Sequence, residues 1–108
     1  MKFITGWLTC RPGTRDEFLS VMRIPAEQTR REEGCVFFEY HLHSDDGDVV
    51  ILIEGFRNEA AHEAHRHTPH MAVMQTEIRR LVGRIRLCYA VAGEEFDFIA
   101  NPPGPWTP

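Results

Sequence analysis

Two alternating runs joined by a short turn, CVFFEYHLH then SDDGD then VVILIEGF, constrain this chain more than any other feature. In the first run Val36, Phe38, Tyr40 and Leu42 fall on one face, and Phe37, Glu39, His41 and His43 on the other. A period of two is the signature of a strand, because successive side chains leave opposite faces. Ser, Asp and Gly between the runs are turn formers, so the segment is predicted to be an antiparallel hairpin.

Two further runs alternate in the same way. KFITGWLTC puts Ile4, Gly6 and Leu8 opposite Phe3, Thr5, Trp7 and Thr9, and RIRLCYAVA aligns Ile85, Leu87, Tyr89 and Val91. Between the strands the spacing becomes helical. Phe18, Met22, Ala26 and Thr29 form one stripe, opened by Thr14 as an N-cap with Glu17 three residues on, a capping box. Pro25 lies inside that stripe and is expected to kink or break the helix. Asn58 is placed to cap a short helix through EAAHEAH. Thr68 caps another, with Pro69 at its first position and Met71, Met74, Ile78, Leu81 and Val82 repeating after it. Strand, helix, strand, strand, helix pair, strand is the order of an α+β protein with helices on one face of a mostly antiparallel sheet. The other face then carries Phe3, Trp7, Phe37, Ile51 and Ile53, which a second copy would cover, so a homodimer is expected.

Composition narrows the partners. A net charge of −4 argues against a nucleic acid, which needs a basic face. No apolar run is long enough to span a bilayer. MKFITGWLTC lacks the apolar stretch of a signal peptide. Cys10, Cys35 and Cys88 are odd in number and far apart, which suits reduced thiols in a cytoplasmic protein. From Phe96 the chain becomes Pro-rich, so a domain over 1–95 and an irregular tail over 96–108 are expected. That tail is either a loose end or an arm docking Phe96, Phe98 and Trp106 on a partner subunit.

A family pattern runs through these elements. Gly34-Cys35, the aromatic strand Phe38 to Tyr40, Glu54-Gly55-Phe56, Ala61 to His65 and Thr68-Pro69-His70 follow in order, after Pro12-Gly13 and Phe18. Over residues 2–92 the chain resembles the antibiotic biosynthesis monooxygenase domain, quinol monooxygenases included. The resemblance implies a ferredoxin-like, four-stranded α+β fold assembled as a dimeric α+β barrel, with a pocket between sheet and helices. It also implies oxidation of a small aromatic or quinol-type molecule by dioxygen, with no metal or other cofactor. The haem-degrading branch combines Asn on the first strand, Trp on the third and His on the helix. Here those places hold Gly6, Phe56 and His70, so haem cleavage is not expected.

Cofactor-free oxygenation needs an apolar slot and a base that is active near neutral pH, because a phenol gives up an electron far more readily once deprotonated. His70, at a helix start whose positive end keeps imidazole neutral, and Glu54, a carboxylate on an apolar strand face, are the candidate catalytic residues. Glu54 could instead pair with Arg57. Tyr40 and His65 are expected to orient the substrate. Phe38, Phe56 and Met74 are expected to wall the pocket, and Gly6 to open its volume. His62, His65, His67 and His70 cluster in sequence, but Thr68-Pro69 restarts the helix and moves His70 to a new axis, so a metal site is not expected. The charged run Glu27, Arg30, Arg31, Glu32 and Glu33 reads as a solvated helix end with a Glu27–Arg31 pair. The alternative to an enzyme is a small-molecule-binding or stress-associated dimer with the same pocket.

Overall fold

The computed structural model describes residues 1–91 and 93. The hairpin forms as its alternation predicts: β2 (Cys35–Leu42) pairs antiparallel with β3 (Val49–Phe56). β1 (Lys2–Cys10) lies on the other side of β3, and β4 (Val82–Val91) pairs with the free edge of β1. The sheet order is β2-β3-β1-β4, antiparallel throughout. Helices α1 (Arg15–Arg30), α2 (Glu59–Arg66) and α3 (Pro69–Leu81) complete the ferredoxin-like α+β fold. The Pro-rich tail lies outside the described residues.

Burial along β1 shows which face the helices cover. Ile4, Gly6, Leu8 and Cys10 are buried, whereas Phe3, Thr5, Trp7 and Thr9 are half-buried. The register lines up side chains across the covered face in three rows. Phe38, Glu54, Ile4 and Tyr89 form one; Tyr40, Leu52, Gly6 and Leu87 the next; Leu42, Val50, Leu8 and Ile85 the third. The α1 stripe packs on this face, with Phe18 and Met22 wholly buried. Removing each such side chain from water contributes about 1.5–3 kcal/mol. On the opposite face Phe3 and Phe37 pack ring against ring, with centroids 5.7 Å apart, and the Arg86 guanidinium lies over Trp7.

Four local expectations are corrected. Pro25 does not break α1, which runs unbroken to Arg30. Burial of Pro25, Ala26 and Thr29 on the core offsets the lost hydrogen bond, and Thr29 Oγ1 donates to Pro25 O. Thr14 makes no capping bond: its hydroxyl donates to the carbonyls of Arg11 and Leu81, and Glu17 pairs with Arg80 instead. Val36 is the extra residue of a β-bulge and is exposed, so Cys35 rather than Val36 joins Phe38 and Tyr40 against the core. Val82 belongs to β4, which leaves α3 with no intervening loop.

The remaining caps form as expected. Asn58 Oδ1 accepts from Ala61 N at 2.8 Å, and Thr68 Oγ1 accepts from Met71 N at 3.2 Å. The Thr68 hydroxyl also donates to His65 O, tying the end of α2 to the start of α3. Glu27 and Arg31 pair at 2.9 Å.

Candidate functional site

A cavity of about 350 Å³ lies between the sheet and the two C-terminal helices. The rows described above supply its floor, including Phe38, Glu54, Tyr40 and Leu52. α2 and α3 roof it with His62, His65, Arg66, Met71 and Met74. The walls are therefore largely apolar, with a carboxyl, two imidazoles, two phenols, an amide and a guanidinium among them.

Five of the eight expected site residues meet at this cavity: Glu54, Tyr40, His65, Phe38 and Met74. Three do not reach its lining. Phe56, wholly buried, lies beneath α2, its ring 5.1 Å from that of His62 and 5.0 Å from that of His65, so it supports the roof instead of walling the cavity. Gly6 does not open pocket volume. A Cβ there would stand 2.6 Å from Leu87 Cδ2, so the space above Gly6 is filled by Leu87 from β4. His70 turns away, its Nε2 held 2.6 Å from Glu32 Oε2.

Glu54 is buried, and its neighbour is neither Arg57 nor His70. Its Oε1 lies 3.9 Å from His62 Nε2. Burial pushes the carboxyl up to about 7, and the charge of Glu32 adds to the effect while Arg66 and Lys2 oppose it. Burial also pushes His62 down to about 4, reinforced by Lys2 and Arg66. Its Nδ1 is sealed from water with no partner among the described residues. Loss of solvent drives Tyr40 upward as well, so it meets the chamber as a phenol, and it pushes Cys35, outside the lining, up to about 11, so that group is a thiol at neutral pH.

Sequence reasoning missed Arg66 and the role of Glu32, and it weighed His62 only as a metal ligand. His62 stands three residues before His65 on the same helical face, the relationship that placed it in the histidine cluster. Glu32, assigned to a solvated charge run, instead joins two histidines: its Oε2 lies 2.8 Å from His65 Nδ1 as well as 2.6 Å from His70 Nε2. Their three ligand atoms lie within 4.8 Å of one another, which makes this, among the described residues, the set that could hold a cation; as it stands, hydrogen bonds join them.

A four-stranded antiparallel sheet roofed on one face, with a small-molecule-sized chamber under the roof, defines a class of ferredoxin-like proteins. The family model for antibiotic biosynthesis monooxygenases matches residues 3–77, and the chain belongs to that family. Rv0793 of Mycobacterium tuberculosis, named provisionally as a monooxygenase, is 28% identical over 74 residues, 68% of this chain and 72% of that protein. An uncharacterised Synechocystis protein, sll1783, is 25% identical over 67 residues, 62% of this chain but only 46% of its own length. The solved structure of Rv0793 matches with a TM-score of 0.79 at 22% identity, covering 87% of this chain and 96% of that one, which establishes the shared fold.

Proposed function

We propose that this protein is a cofactor-independent monooxygenase that oxidises a small aromatic or quinol-type substrate with dioxygen, working as a homodimer joined through the uncovered sheet face. The observation that carries the reading is the placement of Glu54: one carboxyl, held in the floor of an apolar chamber, where a ring hydroxyl can reach it.

Dioxygen is a triplet and reacts slowly with closed-shell molecules, so the protein's task is to make the substrate a better electron donor. Glu54 takes the hydroxyl proton, and the resulting phenolate passes one electron to dioxygen. The radical pair couples at a ring carbon to give a peroxide. The peroxide takes back the proton held by Glu54, and its O–O bond then breaks as that carbon loses hydrogen, leaving a carbonyl and releasing water. One oxygen atom enters the ring, the other leaves as water, and the substrate supplies all four electrons. The apolar walls keep bulk water from the intermediates. Such a base contributes about 10²–10⁴-fold when its pKa lies near the working pH. His70 does not act on the substrate in this scheme, since it lies outside the chamber.

The test is oxygen uptake with a panel of hydroquinones, comparing wild type with Glu54→Gln. Uptake by the wild type that falls about 100-fold or more in the variant supports the reading. Equal rates would remove Glu54 from the chemistry. Binding of the same compounds with no uptake by either protein would leave a small-molecule binder.

A further inference from the structure

The Glu32 cluster reaches the chamber only through His65 and is unused by the reaction above. Glu32 sits between α1 and β2, His65 on α2 and His70 on the first turn of α3. The chain brings them together across 33 and 38 residues. All three are shielded: the side chains of Glu32, His65 and His70 are 16%, 2% and 15% exposed. An ionised carboxylate only accepts hydrogen bonds. Two ring nitrogens at hydrogen-bonding distance from one of its oxygens must therefore each carry a hydrogen. For His65 that nitrogen is Nδ1.

The neutral imidazole has one N–H to place. With Nδ1–H committed to Glu32, Nε2 of His65 is left with a bare lone pair. That nitrogen has no hydrogen-bond partner among the described residues, and the ring that carries it lines the chamber. The ring cannot easily turn over, being packed between Phe38 at 6.0 Å and Phe56 at 5.0 Å, centroid to centroid. His70 donates to the same oxygen and so fixes Glu32 against rotation.

We propose that Glu32 is a positioning residue that locks His65 in its Nδ1–H tautomer, presenting Nε2 to the chamber as a second hydrogen-bond acceptor. With Glu54 this offers one ligand a base and a fixed imidazole acceptor together, which suits a dihydroxylated ring better than a monophenol. The choice of ligand rests on the monooxygenase reading; the tautomer does not. The logic is that of any base oriented through its far nitrogen by a carboxylate.

Long-range proton–nitrogen NMR of protein labelled with 15N-histidine, recorded slightly above neutral pH, reads the tautomer directly. The expected wild-type spectrum shows His65 with Nδ1 protonated and Nε2 bare. In Glu32→Ala that pattern is lost and the Nε2–H form, which an unrestrained histidine prefers, takes over. A wild-type His65 protonated on Nε2 or on both nitrogens overturns the proposal, as does stoichiometric metal in the purified protein bound through Nδ1. An unchanged spectrum in a folded Glu32→Ala protein overturns it too. The wild-type spectrum decides even if the variant does not fold. Absence of oxygen uptake together with the expected tautomer would sink the monooxygenase reading and leave the lock standing; uptake with the wrong tautomer would do the reverse.

Discussion

Glu54 Oε1 and His62 Nε2 face one another across 3.9 Å, too far to share a hydrogen bond. Burial therefore outweighs their attraction, and near pH 6 both groups are held neutral in the folded protein. The carboxyl titrates near 4.5 when exposed and at about 7 when folded, so the native state keeps its proton longer than the unfolded chain. The stability this proton contributes is complete below pH 4.5 and is lost as pH rises through 7. Glu54→Gln, which keeps the shape without the charge, is expected to be more stable than wild type by about 3 kcal/mol above pH 7 and level with it near pH 4. Urea unfolding at a series of pH values checks this; a constant difference across the series would mean that ionisation is not the cause.

His62 has the opposite slope. Its ring titrates near 6.5 when exposed and at about 4 when folded, so the unfolded chain takes up the proton first as pH falls. Stability is complete above 6.5 and is lost on acidification through 4. In wild type the two slopes oppose one another between 4.5 and 6.5 and flatten the profile. The Glu54→Gln protein, keeping only the His62 slope, should lose stability steadily below pH 6.5, whereas His62→Gln should lose it on the alkaline side. Two variants with parallel profiles would contradict the assignment.

Activity should follow the carboxylate. If Glu54 takes the substrate proton, oxygen uptake per enzyme rises about tenfold per pH unit below 7 and levels off above it. Among the chamber groups with displaced titration, Glu54 alone moves into this range, since His62 titrates far below and Tyr40 is driven upward, and loss of the inflection in Glu54→Gln assigns it. A hydroquinone whose own hydroxyls ionise well above the range separates enzyme from substrate titration. A flat profile from pH 5 to 8 would exclude this base.

Local signals made much of this fold legible, and contacts between distant segments account for what was missed. The hairpin alternation, the α1 stripe and the caps at Asn58 and Thr68 depend on neighbours within a few residues, and each formed. Thr14 looked like the same kind of cap, but the carbonyl of Leu81, brought beside it by the docking of α3, accepts its hydroxyl hydrogen instead. Gly6 looked like an opening because only the β1–β4 pairing reveals Leu87 above it. Glu32 shows the limit most plainly. Its charged neighbours Arg30, Arg31 and Glu33 are all exposed, and nothing within ten residues hints at two imidazoles arriving from α2 and α3. Tyr40 and Glu54 stood out because an inward polar group on an apolar strand face is conspicuous in a segment taken alone, whereas His65 entered through the family pattern Ala61 to His65.

The loop that carries Glu32 depends on a close approach between Gly34 and α2. A Cβ on Gly34 would overlap that of Ala61 and stand 3.3 Å from its Cα. Gly34 does not have a left-handed backbone, so packing alone accounts for the requirement. The chain is also pinned there by Arg57 N, which donates to Gly34 O at 2.9 Å, so the loop cannot simply swing away. Gly34→Ala is expected to destabilise the protein by about 2 kcal/mol through overpacking. Ala61→Gly, near the start of a helix, costs about 1 kcal/mol on its own. With both changes the methyl groups have traded places, and the double variant should be destabilised by about 1 kcal/mol instead of the sum of about 3 kcal/mol. Because Glu32 lies two residues from the altered glycine, the single variant should also disturb the His65 ring nitrogen signals, and the double variant should restore them. Additive urea-unfolding energies, with no recovery of those signals, would show that Gly34 is needed for some reason other than the seating of α2.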